Sequence, residues 1–260
     1  MRKNTPKEKE VRQLLRELGT KSGDFLFCAS DNFNGSFIRF FTWSKWSHIA
    51  MILEIDGDFW VLESTTDDIP LNDYISKKPK SGVQFVSLVE KIRKYRGEMG
   101  IRPVNRRFSN NLTQKFFKFY KKYQDRKFCP NSWEMIKSWY DGPFGRNKQH
   151  TKTFFCAQLI AEAFKQCKMI GKRKPSSEYT QKSFETFQPN GRKYQYDDEI
   201  YYIKKFKYHQ SSVGSSIGQS FGPQISKKTS GLNPFERGKL GKYSDVELPG
   251  KLVMDILKYV

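Results

Sequence analysis

Apolar positions along this chain follow two different periods, and the places where the period changes mark its elements. Val11, Leu14, Leu15 and Leu18 fall at helical spacing over residues 7–19, and Gly19 is a natural stop. Ser22-Gly23-Asp24 turns the chain into a short apolar strand, Phe25 to Cys28. From Ala29 to Ser44 the pattern reads as loop with a short helix. Trp46 to Ile55 then alternates as a half-buried strand does, and further strands are expected over Phe59 to Glu63, Val83 to Leu88 and Glu199 to Lys204. Helical spacing returns over Ser109 to Tyr123, over Ser132 to Tyr140, and from Cys156 to about Ile170, ahead of Gly171. Lys174 to Thr180 reads as a loop leading to Phe184 and Phe187. Together these elements describe an α+β domain.

One turn fixes a register. Asp56-Gly57 is a strong two-residue hairpin signal between a strand ending at Ile55 and one starting at Asp58. Pairing Ile55 with Asp58 sets Ala50 opposite Glu63, which leaves His48 diagonal to Glu63 on one face. Diagonal neighbours lie about 7–8 Å apart at the backbone, within reach of an imidazole and a long carboxylate. A loop one residue longer would put the two on opposite faces.

Composition then divides the chain. Hydrophobic residues make up 37% of 260, with 22 Phe and 13 Tyr, enough for one good-sized core with attachments. Between Ser211 and Leu232 half the residues are Ser or Gly, the composition of a flexible linker. Beyond it Leu252, Val253, Ile256 and Leu257 are sufficient for one short amphipathic helix. The expected organisation is an N-terminal helix over 1–20, a core domain over 21–208, and a linker with a docking segment over 209–260.

Charge limits the partners. Lys and Arg number 47 against 27 acidic residues, a formal charge of +20. The basic clusters, Lys77 to Lys80, Lys91 to Arg96, Lys121-Lys122 and Lys172 to Lys174, read as solvated surface. No recognition helix, zinc finger or RNA-binding aromatic signature accompanies them, so sequence-specific nucleic-acid binding is not expected. The charge alone does not choose among nucleic acid, anionic lipid headgroups and an acidic protein surface; the partner expected for the C-terminal tail is an anionic membrane surface or an acidic protein or capsid. No apolar run approaches the roughly 18 residues of a membrane span, and Met1 to Glu10 lacks the apolar core of a secretory signal. A cytoplasmic protein with reduced thiols is expected. The four cysteines form no Cys-x-x-Cys pair and His48, His150 and His209 are scattered, so neither a metal nor a cofactor is expected. Cys28, Cys129 and Cys167 read as structural.

Cys156 is different, because it opens an apolar helix. A helix N-terminus carries partial positive charge and spare N–H donors, which favour a thiolate. A strand-borne histidine is the natural base for such a sulfur, and a carboxylate on that ring would hold its tautomer. His48, Glu63 and Cys156 are the candidate catalytic residues. Glu54 is the competing acid, farther along the His48 face.

The order of strand histidine, carboxylate on the next strand and later helix cysteine resembles the circularly permuted papain-like cysteine amidases and peptidases of the NlpC superfamily, the YiiX/YaeF-like group. The stretches that carry the resemblance are Ser22 to Phe27, Trp46 to Ile52, Val61 to Ser64 and Phe155 to Ile160, with weaker matches at Gly100 to Val104 and from Pro175 to Phe184. They cover roughly residues 20–205. Gln181 departs from the pattern, standing where that group commonly has Pro after Tyr179-Thr180. The resemblance implies a permuted papain-like fold, an antiparallel sheet packed against helices. It also implies cleavage or transfer at an amide or ester bond, with Cys156 as nucleophile, His48 as base and Glu63 as orienting carboxylate.

That group has relatives in bacteria, in poxviruses and in other large DNA viruses, with lecithin retinol acyltransferase a cousin. A lipid or lipid-modified substrate fits this reading, as does a site in the host cytoplasm or the virion if the chain is viral. The alternative is a catalytically silent structural or interaction protein, such as a minor virion component, that binds through its basic surface and tail.

Overall fold

The computed structural model describes residues 7–30, 44–66, 69–128 and 153–204. Helix α1 (Glu8–Glu17) leads to strands β1 (Phe25–Ser30), β2 (His48–Ile55), β3 (Asp58–Thr65) and β4 (Gly82–Ser87). Helix α2 (Leu88–Lys94), strand β5 (Gly97–Arg102) and helix α3 (Asn110–Tyr123) follow. A short parallel pair, β6 (Lys127–Phe128) with β7 (Thr153–Phe154), precedes helix α4 (Cys156–Gln166). A 3-10 turn (Ser176–Glu178), helix α5 (Gln181–Glu185) and strand β8 (Tyr201–Lys204) complete the described elements. The fold is α+β, around an antiparallel sheet in the order β4-β3-β2-β1-β5-β8.

The Asp56-Gly57 turn sets the register on which the site depends. Both residues have positive φ, 54° and 79°, the conformation a two-residue hairpin turn requires. Ile55 accordingly faces Asp58, and the pairing runs on to Met51 opposite Leu62. That register leaves His48, Ala50 and Glu63 on one face of the sheet.

Side-chain parity distributes the core over both faces of the sheet. Phe25, Phe27, Ile49, Met51, Leu53, Leu62 and Phe85 join Phe116, Tyr120, Leu159, Ile160 and Phe164 in one cluster beneath α3 and α4. The opposite parity, Leu26, Cys28, Ala50, Ile52 and Val61, is equally buried. That face is covered from the side of α2, which packs on β3, β4 and α1. β2 is therefore buried on both faces, where its alternation had predicted one solvated face. Ala50 and Ile52 are apolar on the second face as well, which is the signature of a covered strand.

Several boundaries differ from the sequence reading. β1 extends to Ser30 and β2 begins at His48. α4 stops at Gln166, because left-handed Lys168 (φ 59°) turns the chain and the Met169 N–H returns to the Phe164 carbonyl, before Gly171 is reached. The stretch expected as loop over Lys174 to Thr180 contains the 3-10 turn. The helix expected over 132–140, the residue Cys129 and the segment 209–260 lie outside the described residues, as does most of 29–44. Among the described residues, no helix is long and apolar enough to cross a membrane.

Candidate active site

The hairpin register delivers His48 to Glu63. The ring Nε2 lies 2.6 Å from Glu63 Oε2, a charge-assisted contact in which the carboxylate holds the imidazole in place. Glu63 is itself fixed from two further directions. Gln84, its cross-strand partner on β4, donates its amide to Oε1 at 2.9 Å, and Lys91 Nζ from α2 stands 2.7 Å from the carboxylate. No part of the Glu63 side chain reaches solvent. Glu54, the competing acid, pairs instead with Arg107 at 2.9 Å.

Cys156 arrives from the other side of the sheet. The β6–β7 pair leads the chain into α4, and Ser64, next to Glu63 on β3, donates to the Phe154 carbonyl at 2.8 Å. One strand thus positions both the carboxylate and the approach to the thiol. Phe155, which starts the helix, has no side-chain oxygen to occupy the first-turn N–H groups, and that turn contains no acidic residue. The partial positive charge of the helix end acts on the sulfur. Cys156 is only 5% exposed and the His48 side chain 13%, so the ring edge is the more open part of the pair.

Charges alternate through the cluster. Burial alone would raise the Cys156 pKa, but the hydrogen bond and charge of His48, with backbone N–H groups of Ile49 and Ala157, bring it below an ordinary thiol's. Burial would likewise lower the His48 pKa, yet the bond and charge of Cys156, then of Glu63, hold it up at about 9. Glu63 is pushed up by burial and pulled down further by Lys91 and His48, to about 2. Each group of the cluster therefore favours the charged form of its neighbour, from Lys91 through Glu63 and His48 to Cys156. Cys28, opposite His48 on β1, shows the contrast: burial pushes its thiol up to about 12. Burial likewise raises the Cys167 thiol, to about 11. Among the described cysteines, only Cys156 has its thiol pKa lowered.

Three residues of this cluster, Gln84, Lys91 and Gln181, were not among the sequence candidates. Lys91 reads in the sequence as solvated surface charge, whereas its side chain is 5% exposed and bonded to Glu63. The spacing Leu88, Lys91, Ile92 was the available signal, because it places the lysine on the buried stripe of α2. Gln181, at the start of α5, donates its amide to Cys156 Sγ at 3.1 Å and to the Ser47 carbonyl at 3.1 Å. Its only sequence signal was the departure from the resembling pattern. Among the described residues, no group of three or more His, Cys, Asp or Glu side chains forms a metal-binding cluster.

Comparison with known proteins adds little to this geometry. No family model matches the chain, and no curated protein matches it either. Among solved structures, metalloprotein yiiX from Escherichia coli O157:H7, a DUF1105 protein, aligns with 17% identity and a TM-score of 0.38. The alignment covers 56% of this chain and 64% of that one, less than two thirds of the neighbour's length.

Proposed function

We propose that this protein is a thiol-dependent hydrolase or acyltransferase acting on an amide or ester bond through Cys156, His48 and Glu63. The observation that carries the reading is an imidazole held at Nε2, 2.6 Å from a buried carboxylate, that lowers the pKa of a thiol at a helix N-terminus. Such a sulfur is nucleophilic near neutral pH because the thiolate is the reactive form.

The chemistry follows from the charges. The Cys156 thiolate attacks the carbonyl carbon, and the carbonyl oxygen takes the negative charge. The His48 imidazolium donates its proton to the departing amine or alcohol as the carbon–heteroatom bond breaks. An acyl-thioester and a neutral imidazole remain. His48 then removes a proton from water, or from a second acceptor, which attacks the thioester and restores the thiolate. Glu63 keeps the ring oriented throughout and stabilises its charged form. A lipid or lipid-modified substrate remains part of this proposal.

Intact-protein mass spectrometry after brief treatment with iodoacetamide near pH 6 tests the reading. One adduct on Cys156 is expected, lost in Cys156→Ala and strongly slowed in His48→Ala. Absence of any Cys156 adduct under conditions that modify a small-molecule thiol would refute it.

A further inference from the structure

Gln181 has more to do than fill the space beneath the thiol. Its side chain is buried, and both hydrogens of its amide nitrogen are committed, one to Cys156 Sγ and one to the Ser47 carbonyl, each at 3.1 Å. The Ser47 carbonyl fixes the orientation of the amide. A carbonyl oxygen only accepts, so turning the amide over would set two acceptors against each other. Oε1 is then a buried acceptor without a partner among the described residues, which shows that the amide is oriented by what its nitrogen does.

The residue is held rigidly. Thr180 Oγ1 accepts from the Ser183 N–H at 3.3 Å while Ser183 Oγ accepts from the Thr180 N–H at 3.1 Å, closing the first turn of α5 around Gln181. The far end of the same segment is gripped by Arg102, fully buried, whose guanidinium donates to the Phe184 and Phe187 carbonyls at 2.8 and 2.9 Å. A donor fixed in this way needs no reorganisation when charge develops beside it.

We propose that Gln181 is a catalytic residue of the thiol site, the side-chain donor that stabilises the oxyanion formed when Cys156 attacks a carbonyl. The inference rests on the reading of Cys156 as nucleophile. In the resting state the amide N–H meets the thiolate. As the carbon–sulfur bond forms, the sulfur loses its charge to an oxygen one carbon away, which then accepts from the same fixed N–H. Donors of this kind, aimed at the developing oxygen, typically contribute about 10²–10³ in rate.

Two probes separate this role from simple support of the thiolate. Iodoacetamide alkylates the sulfur by displacing iodide and builds no oxyanion, whereas p-nitrophenyl acetate acylates it through one. Both rates are measured at Cys156 in the full chain, for the wild type, for Gln181→Met of similar volume, and for Gln181→Asn, which withdraws the amide by one methylene. Melting curves accompany each variant, and if one fails to fold the other carries the test. Acylation should fall roughly 100-fold in the variants, with alkylation at a pH where the thiol is fully ionised changing by much less. Equal losses with both probes, or no loss with either, overturn the inference and leave the nucleophile intact. A wild type that alkylates but is never acylated overturns it too. A wild type inert to both probes at Cys156 overturns the proposed function itself.

Discussion

Lys91→Met removes one of the two cations that hold Glu63 in the interior. The lysine ammonium and the carboxylate are 2.7 Å apart, with side chains 5% and 0% exposed, so neither has water to fall back on. Breaking a buried pair from one side typically costs about 3–5 kcal/mol, because the remaining charge is stranded. The lower end applies here, since the His48 imidazolium at 2.6 Å and the Gln84 amide at 2.9 Å still hold the carboxylate. At about 2–4 °C per kcal/mol for a domain of this size, the melting temperature should drop by about 6–12 °C. Adding Glu63→Gln in the same chain removes the stranded charge and should recover part of the loss, giving a coupling that single substitutions cannot show. The electrostatics make a second demand. Lys91 and Cys156 stabilise each other's charged forms, so the Lys91→Met thiol should ionise at higher pH. Differential scanning calorimetry on the two single variants and the double variant, with thiol titration by alkylation rate, measures both effects. A drop below about 3 °C, or a double variant no more stable than Lys91→Met, would refute the reasoning.

Other expectations follow from the same contacts. The Glu63 pKa is about 2 folded against 4.5 unperturbed, so its contribution to stability is present above pH 4.5 and lost as pH falls through 2; Glu63→Gln should flatten that acid limb in urea titrations. His48 has the opposite sign: raised to about 9 from 6.5, its contribution is present below pH 6.5 and lost as pH rises through 9, a limb that His48→Ala should remove. Ser64→Ala leaves the Phe154 carbonyl without its 2.8 Å donor and should cost about 1–2 kcal/mol in urea unfolding, with slower Cys156 alkylation as the helix entry loosens. Removal of residues 209–260 should leave the melting temperature of the core within a few degrees; a collapse would show that the tail belongs to the fold.

Some of the site could be read directly from the sequence because local rules governed it. Asp56-Gly57 has one favoured turn geometry, and period two then leaves one face for both His48 and Glu63. The Cys156 helix is apolar enough that its start and face are evident. β5 was not among the expected strands, because its fit is tertiary: Gly100 leaves room where a Cβ would stand 2.6 Å from Ile200 and 3.1 Å from Trp46, and Gly97 (φ 146°) lies against the Ala29 carbonyl. A glycine-rich strand of this kind has little intrinsic signal. Lys91 was hidden among basic neighbours, and composition cannot distinguish a buried ammonium from a solvated one. Gln181 was beyond local reading, since its place beside the sulfur depends on the grip of Arg102, 79 positions earlier, on the segment that follows it.

The pH dependence of Cys156 alkylation tests the thiolate–imidazolium pair most directly. The account predicts a wild-type rate that levels off below the pKa of 9 of an unperturbed thiol, and a His48→Ala profile shifted toward higher pH. A wild-type profile that follows an ordinary thiol, unchanged by loss of the ring, would contradict it.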